Sequence, residues 1–223
     1  MRGDFLCCMK IELNKQLDKE MYISFRDAVV GGADFGEKIR KDHPQITEKN
    51  YGEYIDDYYQ ERRDKLEAVR TETENCFAEI REPLFLELKK YFGRDFSGRK
   101  YVCYLSIFDI NARFLENKTF QVYYKRSYHL RKEVIAHELT HFTFYDFCHG
   151  LGIKDSQALW ELSEIFNVIF LNLAPLQVVI GAEELLFYPN LKDKLETVKA
   201  IWSKQLPANE FVKTSLVSIS SVS

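Results

Sequence analysis

The sequence lacks a surplus of positive charge. Its 223 residues include 31 Lys and Arg against 34 Asp and Glu, which gives a net charge of −3 at pH 7. Proteins that bind nucleic acids usually carry a basic surplus that neutralises the phosphates. We therefore expect no nucleic-acid partner.

The sequence also lacks a C-x-x-C pair and a long apolar run. Its five cysteines are irregularly spaced, which excludes a cysteine zinc knuckle or a thioredoxin motif and favours free thiols. The first ten residues do not predict a signal peptide, because charged residues follow a short apolar run at once. The longest apolar stretch, residues 165–180, is interrupted by polar residues and is shorter than a membrane span. These absences predict a cytoplasmic protein with no membrane partner.

The hydrophobic pattern predicts a mostly helical α+β fold. Apolar residues recur at helical spacing in several segments, at 15–30, 51–90, 130–148, 156–173 and 191–204. Between them, residues 100–109 and 119–124 are rich in aromatic and β-branched side chains, and 116–118 is a turn signal. We expect these two strands to form a small antiparallel sheet that precedes the helix over 130–148.

That helix carries a metal-binding motif. His137, Glu138 and His141 form the pattern H-E-x-x-H. Residues four apart lie on one face of a helix, one turn apart, so both imidazoles can reach a single metal ion. Zinc accepts nitrogen ligands, and the adjacent carboxylate can take a proton from a metal-bound water as a general base. The motif therefore predicts Zn²⁺ bound by His137 and His141, with Glu138 catalytic.

A catalytic zinc site needs a third protein ligand. A metzincin would carry a third His where this chain has Phe147, so that class is excluded. The next helix offers Glu161 and Glu164. If the two helices are antiparallel, ligands at equal distance from the turn lie level, and His141 and Glu164 are both about nine residues from it. This favours Glu164, with Glu161 as the alternative ligand or as a carboxylate that orients a ligating imidazole.

Residues 111–167 resemble the catalytic core of the gluzincins, the thermolysin-like zinc peptidases. His-Glu-Leu-Thr-His is the form of the motif seen in thermolysin, and Asn111-Ala112-Arg-Phe followed by Phe-Gln-Val-Tyr is similar to that family's edge strand and the strand after it. The thermolysin pattern would put the third ligand at Glu161, whereas the Leu-Asn-Glu-Gly-Phe pattern of other gluzincins favours Glu164. Both assignments stay open.

The same resemblance implies residues that handle the substrate. Asn111 and Ala112 would hold the backbone of a peptide added to the sheet edge. A Tyr or His would stabilise the oxyanion, for which Tyr188 is a candidate beside His129 and Tyr123.

The sequence thus predicts a compact, minimal gluzincin in three regions: a mainly helical region at 1–95, a zincin-like catalytic core at 96–205 and an extended or frayed tail at 206–223. The expected function is zinc-dependent hydrolysis of a peptide or protein substrate by a metal-bound water that Glu138 activates. One alternative is a zinc-binding regulatory or partner-binding protein derived from a metallopeptidase, with little or no turnover. Another is a domain without metal, whose imidazoles make ordinary hydrogen bonds.

Overall fold

The computed structural model describes residues 8–30, 32–181 and 183–220, with Cys8 described by its backbone alone. The α-helices in these ranges are α1 (Lys15–Phe25), α2 (Phe35–Asp42), α3 (Tyr51–Glu61), α4 (Arg63–Phe92), α5 (Tyr128–Gly150), α6 (Gln157–Leu171), α7 (Ala174–Ile180), α8 (Lys192–Trp202) and α9 (Ala208–Ser220). The strands are β1 (Cys8–Leu13), β2 (Val29–Val30), β3 (Ala33–Asp34), β4 (Lys100–Ser106), β5 (Arg113–Phe114) and β6 (Thr119–Tyr123). The predicted α+β, mostly helical fold is confirmed.

The main sheet is mixed, so the expectation of an antiparallel sheet is wrong for most of its pairs. Its strand order is β1-β4-β6-β5. β1 and β6 both run parallel to β4, and only β5 pairs antiparallel with β6. The turn at residues 116–118 joins β5 to β6 and not β4 to β6. The longer connection from β4 lets β6 return in the parallel direction.

The chain forms two compact units that are interleaved in sequence. The first contains the described residues up to Glu79 together with Arg99–Ile135, and the second contains Ile80–Gly98 and the described residues from Ala136 onward. Helices α4 and α5 each contribute residues to both units. The division of the chain into three consecutive regions stays a prediction.

The first unit has an aromatic core that includes tyrosines of α3. Tyr58 is buried, and its hydroxyl lies 2.6 Å from that of Tyr124. Tyr54 is half-buried, and its hydroxyl lies 3.0 Å from Nδ1 of the buried His43. The His43 ring contacts the Ile107 carbonyl through Nε2 at 2.8 Å. Both nitrogens of this imidazole therefore have partners within the unit.

A fully buried carboxylate, Asp18, ties α1 to the sheet. It accepts hydrogen bonds from the Tyr59 hydroxyl at 2.7 Å, the Ser106 hydroxyl at 2.6 Å, the Ile107 amide at 3.1 Å and the Gln121 amide at 3.1 Å. Burial raises the pKa of Asp18 to about 6, although these hydrogen bonds oppose the shift. The folded protein therefore holds this proton more tightly than the unfolded chain does.

The free energy of unfolding should consequently decrease as pH rises through the folded pKa of Asp18. The contribution is fully present below pH 3.8, the ordinary pKa, and is lost above about 6. The loss is about 3 kcal/mol, since one pKa unit corresponds to ~1.4 kcal/mol. Urea unfolding at pH 4 and pH 7 measures it. The Asp18→Asn variant should lack this part of the pH dependence, and the exposed Asp27→Asn should keep it; equal slopes for wild type and Asp18→Asn contradict the assignment.

The second unit has its own aromatic core, and the predicted frayed tail belongs to it. Residues 208–220 form α9, whose Phe211, Ser215 and Ile219 are buried at four-residue spacing. The Phe211 ring contacts Trp202 at a centroid distance of 5.3 Å. The expectation of an extended tail is therefore wrong, because burial of this face outweighs the low helix propensity of Val, Ser and Ile.

Pro83 lies inside α4 and neither breaks nor ends the helix, although proline disrupts most helix interiors. The helix runs continuously through it. Ile80, Leu84 and Leu88 line one buried face on both sides of the proline. Packing of this face holds the helix together across the missing hydrogen bond.

Cys76, Cys103 and Cys148 are buried and are not part of a disulfide, which confirms the expectation for these three thiols. Cys7 and the side chain of Cys8 lie outside the described residues.

Among the described helices, none is by itself long and apolar enough to cross a membrane. Only α6 and α7 taken together pass on length and composition, and the chain bends by 84° between them.

Candidate metal centre

Two helices of the second unit carry the predicted ligands. α5 ends at Gly150, and the chain turns at Gly152, which has a φ of 77° that glycine adopts readily. α6 then begins after Ser156, whose side chain accepts a hydrogen bond from the Leu159 amide at 3.1 Å. This short connection sets Glu164 of α6 against His141 of α5.

The structure brings His137, His141 and Glu164 together. The two Nε2 atoms are 2.9 Å apart. Nε2 of His141 lies 3.3 Å from one Glu164 oxygen, and Nε2 of His137 lies 3.6 Å from the other. One ligand atom from each residue lies within 4.8 Å of the others, and such a group could hold a metal ion. Two ligands of a tetrahedral zinc ion are about 3.4 Å apart, and the measured distances fall on either side of that value.

A carboxylate that the sequence did not reveal orients His137. Oε1 of Glu184 lies 2.9 Å from Nδ1 of His137. Glu184 is only 7% exposed, and Asn172 holds its backbone through both the amide, at 3.0 Å, and the carbonyl, at 2.9 Å. A carboxylate accepts but does not donate, so Nδ1 carries a proton and Nε2 is the ring nitrogen left for a metal ion. Nε2 faces His141 and Glu164, and a metal ion bound there would take the place of a proton on this nitrogen.

The close approach of two imidazole nitrogens and a carboxylate requires positive charge between them. Burial lowers the pKa of His137, but the charges of Glu184, Glu138 and Glu164 raise it more, to about 9. These carboxylates thus draw a cation towards the ring. A divalent ion bound by two neutral imidazole nitrogens and one carboxylate satisfies the same demand. The residues present therefore fit a zinc ion.

Glu138 lies beside this group on α5. Its side chain is 5% exposed, and its charge raises the pKa of His137. Asn167, one turn after Glu164 on α6, donates a hydrogen bond to the His137 carbonyl at 3.1 Å. The site is therefore tied to the backbone of α5 as well as to its side chains.

Glu161 has other partners. Its Oε2 accepts from Nζ of Lys194 at 2.8 Å and its Oε1 from the Gln157 amide at 3.3 Å. Glu161 thus links α6 to α8 and is not part of the group of three. The role suggested for it, a carboxylate that orients an imidazole, is performed by Glu184.

The remaining predicted residues lie elsewhere. Asn111 and Ala112 belong to the first unit, where the Asn111 side chain accepts from the Tyr123 amide at 3.4 Å and the Ala112 carbonyl from the Gln121 amide at 2.8 Å. In the second unit, the Tyr188 ring packs edge-on against Trp160 at a centroid distance of 4.9 Å. Trp160 is one turn before Glu164 on α6. The substrate and oxyanion roles of these residues stay predictions.

Glu184 should strengthen metal binding although it is not a ligand. The Glu184→Gln variant keeps an acceptor for Nδ1 but loses the charge, so we expect zinc affinity to fall about 10- to 100-fold. Competition with a chromophoric chelator measures this. Glu183→Gln, the exposed neighbour, is the control and should bind zinc as the wild type does. Equal affinities of Glu184→Gln and wild type would refute the orienting role.

No protein-family model, curated protein or solved structure matches this chain.

Proposed function

We propose that the chain is a gluzincin-type zinc peptidase whose metal ion is bound by His137, His141 and Glu164. The observation that carries the proposal is the convergence of two imidazole nitrogens and a carboxylate, next to a buried glutamate in H-E-x-x-H spacing. Three protein ligands leave one position of a tetrahedral zinc ion for water or substrate, as in catalytic sites.

Each residue has a distinct task in this proposal. Zinc supplies Lewis acidity and lowers the pKa of water towards neutrality. The Glu138 carboxylate accepts the proton of the attacking water and then delivers it to the nitrogen of the leaving amine. Glu184 fixes the tautomer and orientation of His137, and Asn167 fixes the backbone that carries it.

The substrate-binding residues belong to the same proposal. Asn111 and Ala112 precede β5, which is the last strand in the order of the main sheet among the described residues, and an extended peptide can bind by adding to a sheet edge. Tyr188 is the candidate for oxyanion stabilisation. The three described cysteines that are buried and not part of a disulfide support a reducing compartment, and we propose the cytoplasm.

The experiment is digestion of a denatured protein mixture by the zinc-loaded chain, with new peptide termini identified by mass spectrometry. A peptidase produces a set of termini that disappears when zinc is removed with a chelator and returns when zinc is restored. A protein that binds zinc tightly yet yields no new termini is instead the regulatory or partner-binding alternative. A chain that binds no divalent ion contradicts both.

A further inference from the structure

A cavity of about 440 Å³ lies in the second unit and is not lined by any of the three proposed metal ligands. Ligand sites of proteins occupy roughly 300–1,000 Å³, so this volume suits a small molecule. The cavity is partly open to solvent. It is formed by α6, α7, α8 and the segment 183–186.

The walls offer mainly apolar surface. Val168 and Ile169 come from α6, Leu195 from α8, and Leu185 and Leu186 from the connecting segment. The amide of Asn172 also lines the cavity, but its hydrogen-bonding capacity is used within the protein: it contacts the Val168 carbonyl, both backbone groups of Glu184, and the Gln177 side chain. The lining of the cavity is therefore suited to the hydrocarbon part of a ligand.

One of the apolar residues that line the cavity is also exposed to solvent. Leu185 lines the cavity and is 69% exposed. No charged residue occurs between positions 165 and 182. Exposed apolar surface that continues into a cavity is typical of binding sites.

The charged residues that line the cavity determine which head group of a ligand is favoured. Lys199 is the only cation among the described residues that line it, and its ion pair with Glu196, at 3.0 Å, is exposed and therefore weak. Of the two lining carboxylates, Glu184 is bound to His137, whereas Glu183 is exposed to solvent. Lys199 is thus available to an anion, and Glu183 opposes one.

We propose that the cavity binds the hydrocarbon chain of an anionic amphiphile whose head group lies at Lys199. A free medium-chain fatty acid and an anionic membrane lipid share this chemistry. The proposal does not depend on peptidase activity, although Glu184 both lines the cavity and contacts His137.

Calorimetric titration with decanoate, octanoate and decanol tests the ligand class. If the chain enters the cavity, decanoate binds about tenfold more tightly than octanoate, since each buried methylene contributes ~0.8 kcal/mol. Decanol should bind more weakly than decanoate. The Lys199→Gln variant should weaken decanoate about two- to fivefold, and Glu183→Gln should strengthen it.

The apolar contact has a matched pair of variants. Leu185→Asn should weaken decanoate, whereas Val217→Asn, an equally exposed apolar site on α9 that does not line the cavity, should leave the affinity unchanged. Co-sedimentation with phosphatidylglycerol and phosphatidylcholine vesicles then identifies the source. Binding to the anionic vesicles that Leu185→Asn and Lys199→Gln both reduce indicates a membrane lipid, and decanoate binding alone indicates a free fatty acid. Absence of both, or binding that neither variant affects, overturns the proposal.

Discussion

Replacing Glu138 with Gln is expected to abolish peptide cleavage while leaving zinc bound. Gln has nearly the same shape but cannot accept the proton of the attacking water. General-base catalysis contributes about 10²–10⁴-fold, so kcat should fall at least that far. Initial rates on a peptide found by the digestion experiment, with the zinc content of the same samples, measure both quantities.

Glu210→Gln is the control, because Glu210 is an exposed carboxylate in the first turn of α9. It should retain wild-type turnover and zinc. Equal turnover by wild type and Glu138→Gln on every cleaved peptide would show that the cleavage has another origin. Loss of zinc together with turnover would instead assign Glu138 to the metal.

Changing Glu164 or Glu161 to Gln should have opposite consequences. Glu164→Gln removes a proposed ligand, and we expect zinc affinity to fall by more than about 100-fold, beyond the effect of an orienting carboxylate. Glu161→Gln should leave zinc affinity within about threefold but destabilise the fold, because the ammonium of Lys194 loses its partner. Breaking a buried pair costs about 3–5 kcal/mol, and partial exposure of Lys194 brings the loss below that.

Chelator competition and urea unfolding of the zinc-free proteins separate these two effects. The opposite pattern, with zinc lost in Glu161→Gln and kept in Glu164→Gln, would move the third ligand to Glu161. Identical zinc binding by both variants would remove α6 from the metal centre.

The site residues that lie together on one helix, α5, could be predicted from the sequence. His137, Glu138 and His141 are fixed relative to each other by helical geometry alone, so spacing was sufficient. Glu164 was favoured over Glu161, because a short connection between two packed helices limits which positions can lie level, but the resemblance left both assignments open. No sequence periodicity pointed to Glu184. It reaches His137 from an irregular segment that Asn172 holds, and such placement depends on tertiary packing.

The fold could also be predicted only in part. Helices with a strongly apolar face and strands rich in aromatic residues were predicted, whereas the direction of β6 was not. Pairing direction depends on which strands a turn joins, and a short β5 between β4 and β6 changed that assignment. The final helix was missed because Ser, Val and Ile have low helix propensity. Its helical conformation depends on burying Phe211 and Ile219.

X-ray absorption spectroscopy of the zinc-loaded protein at the zinc edge tests the metal centre most directly. We expect one zinc ion per chain with two imidazole nitrogens at about 2.0–2.1 Å and carboxylate oxygen at about 2.0–2.2 Å. Sulfur at about 2.3 Å, or fewer than two imidazoles, would contradict it.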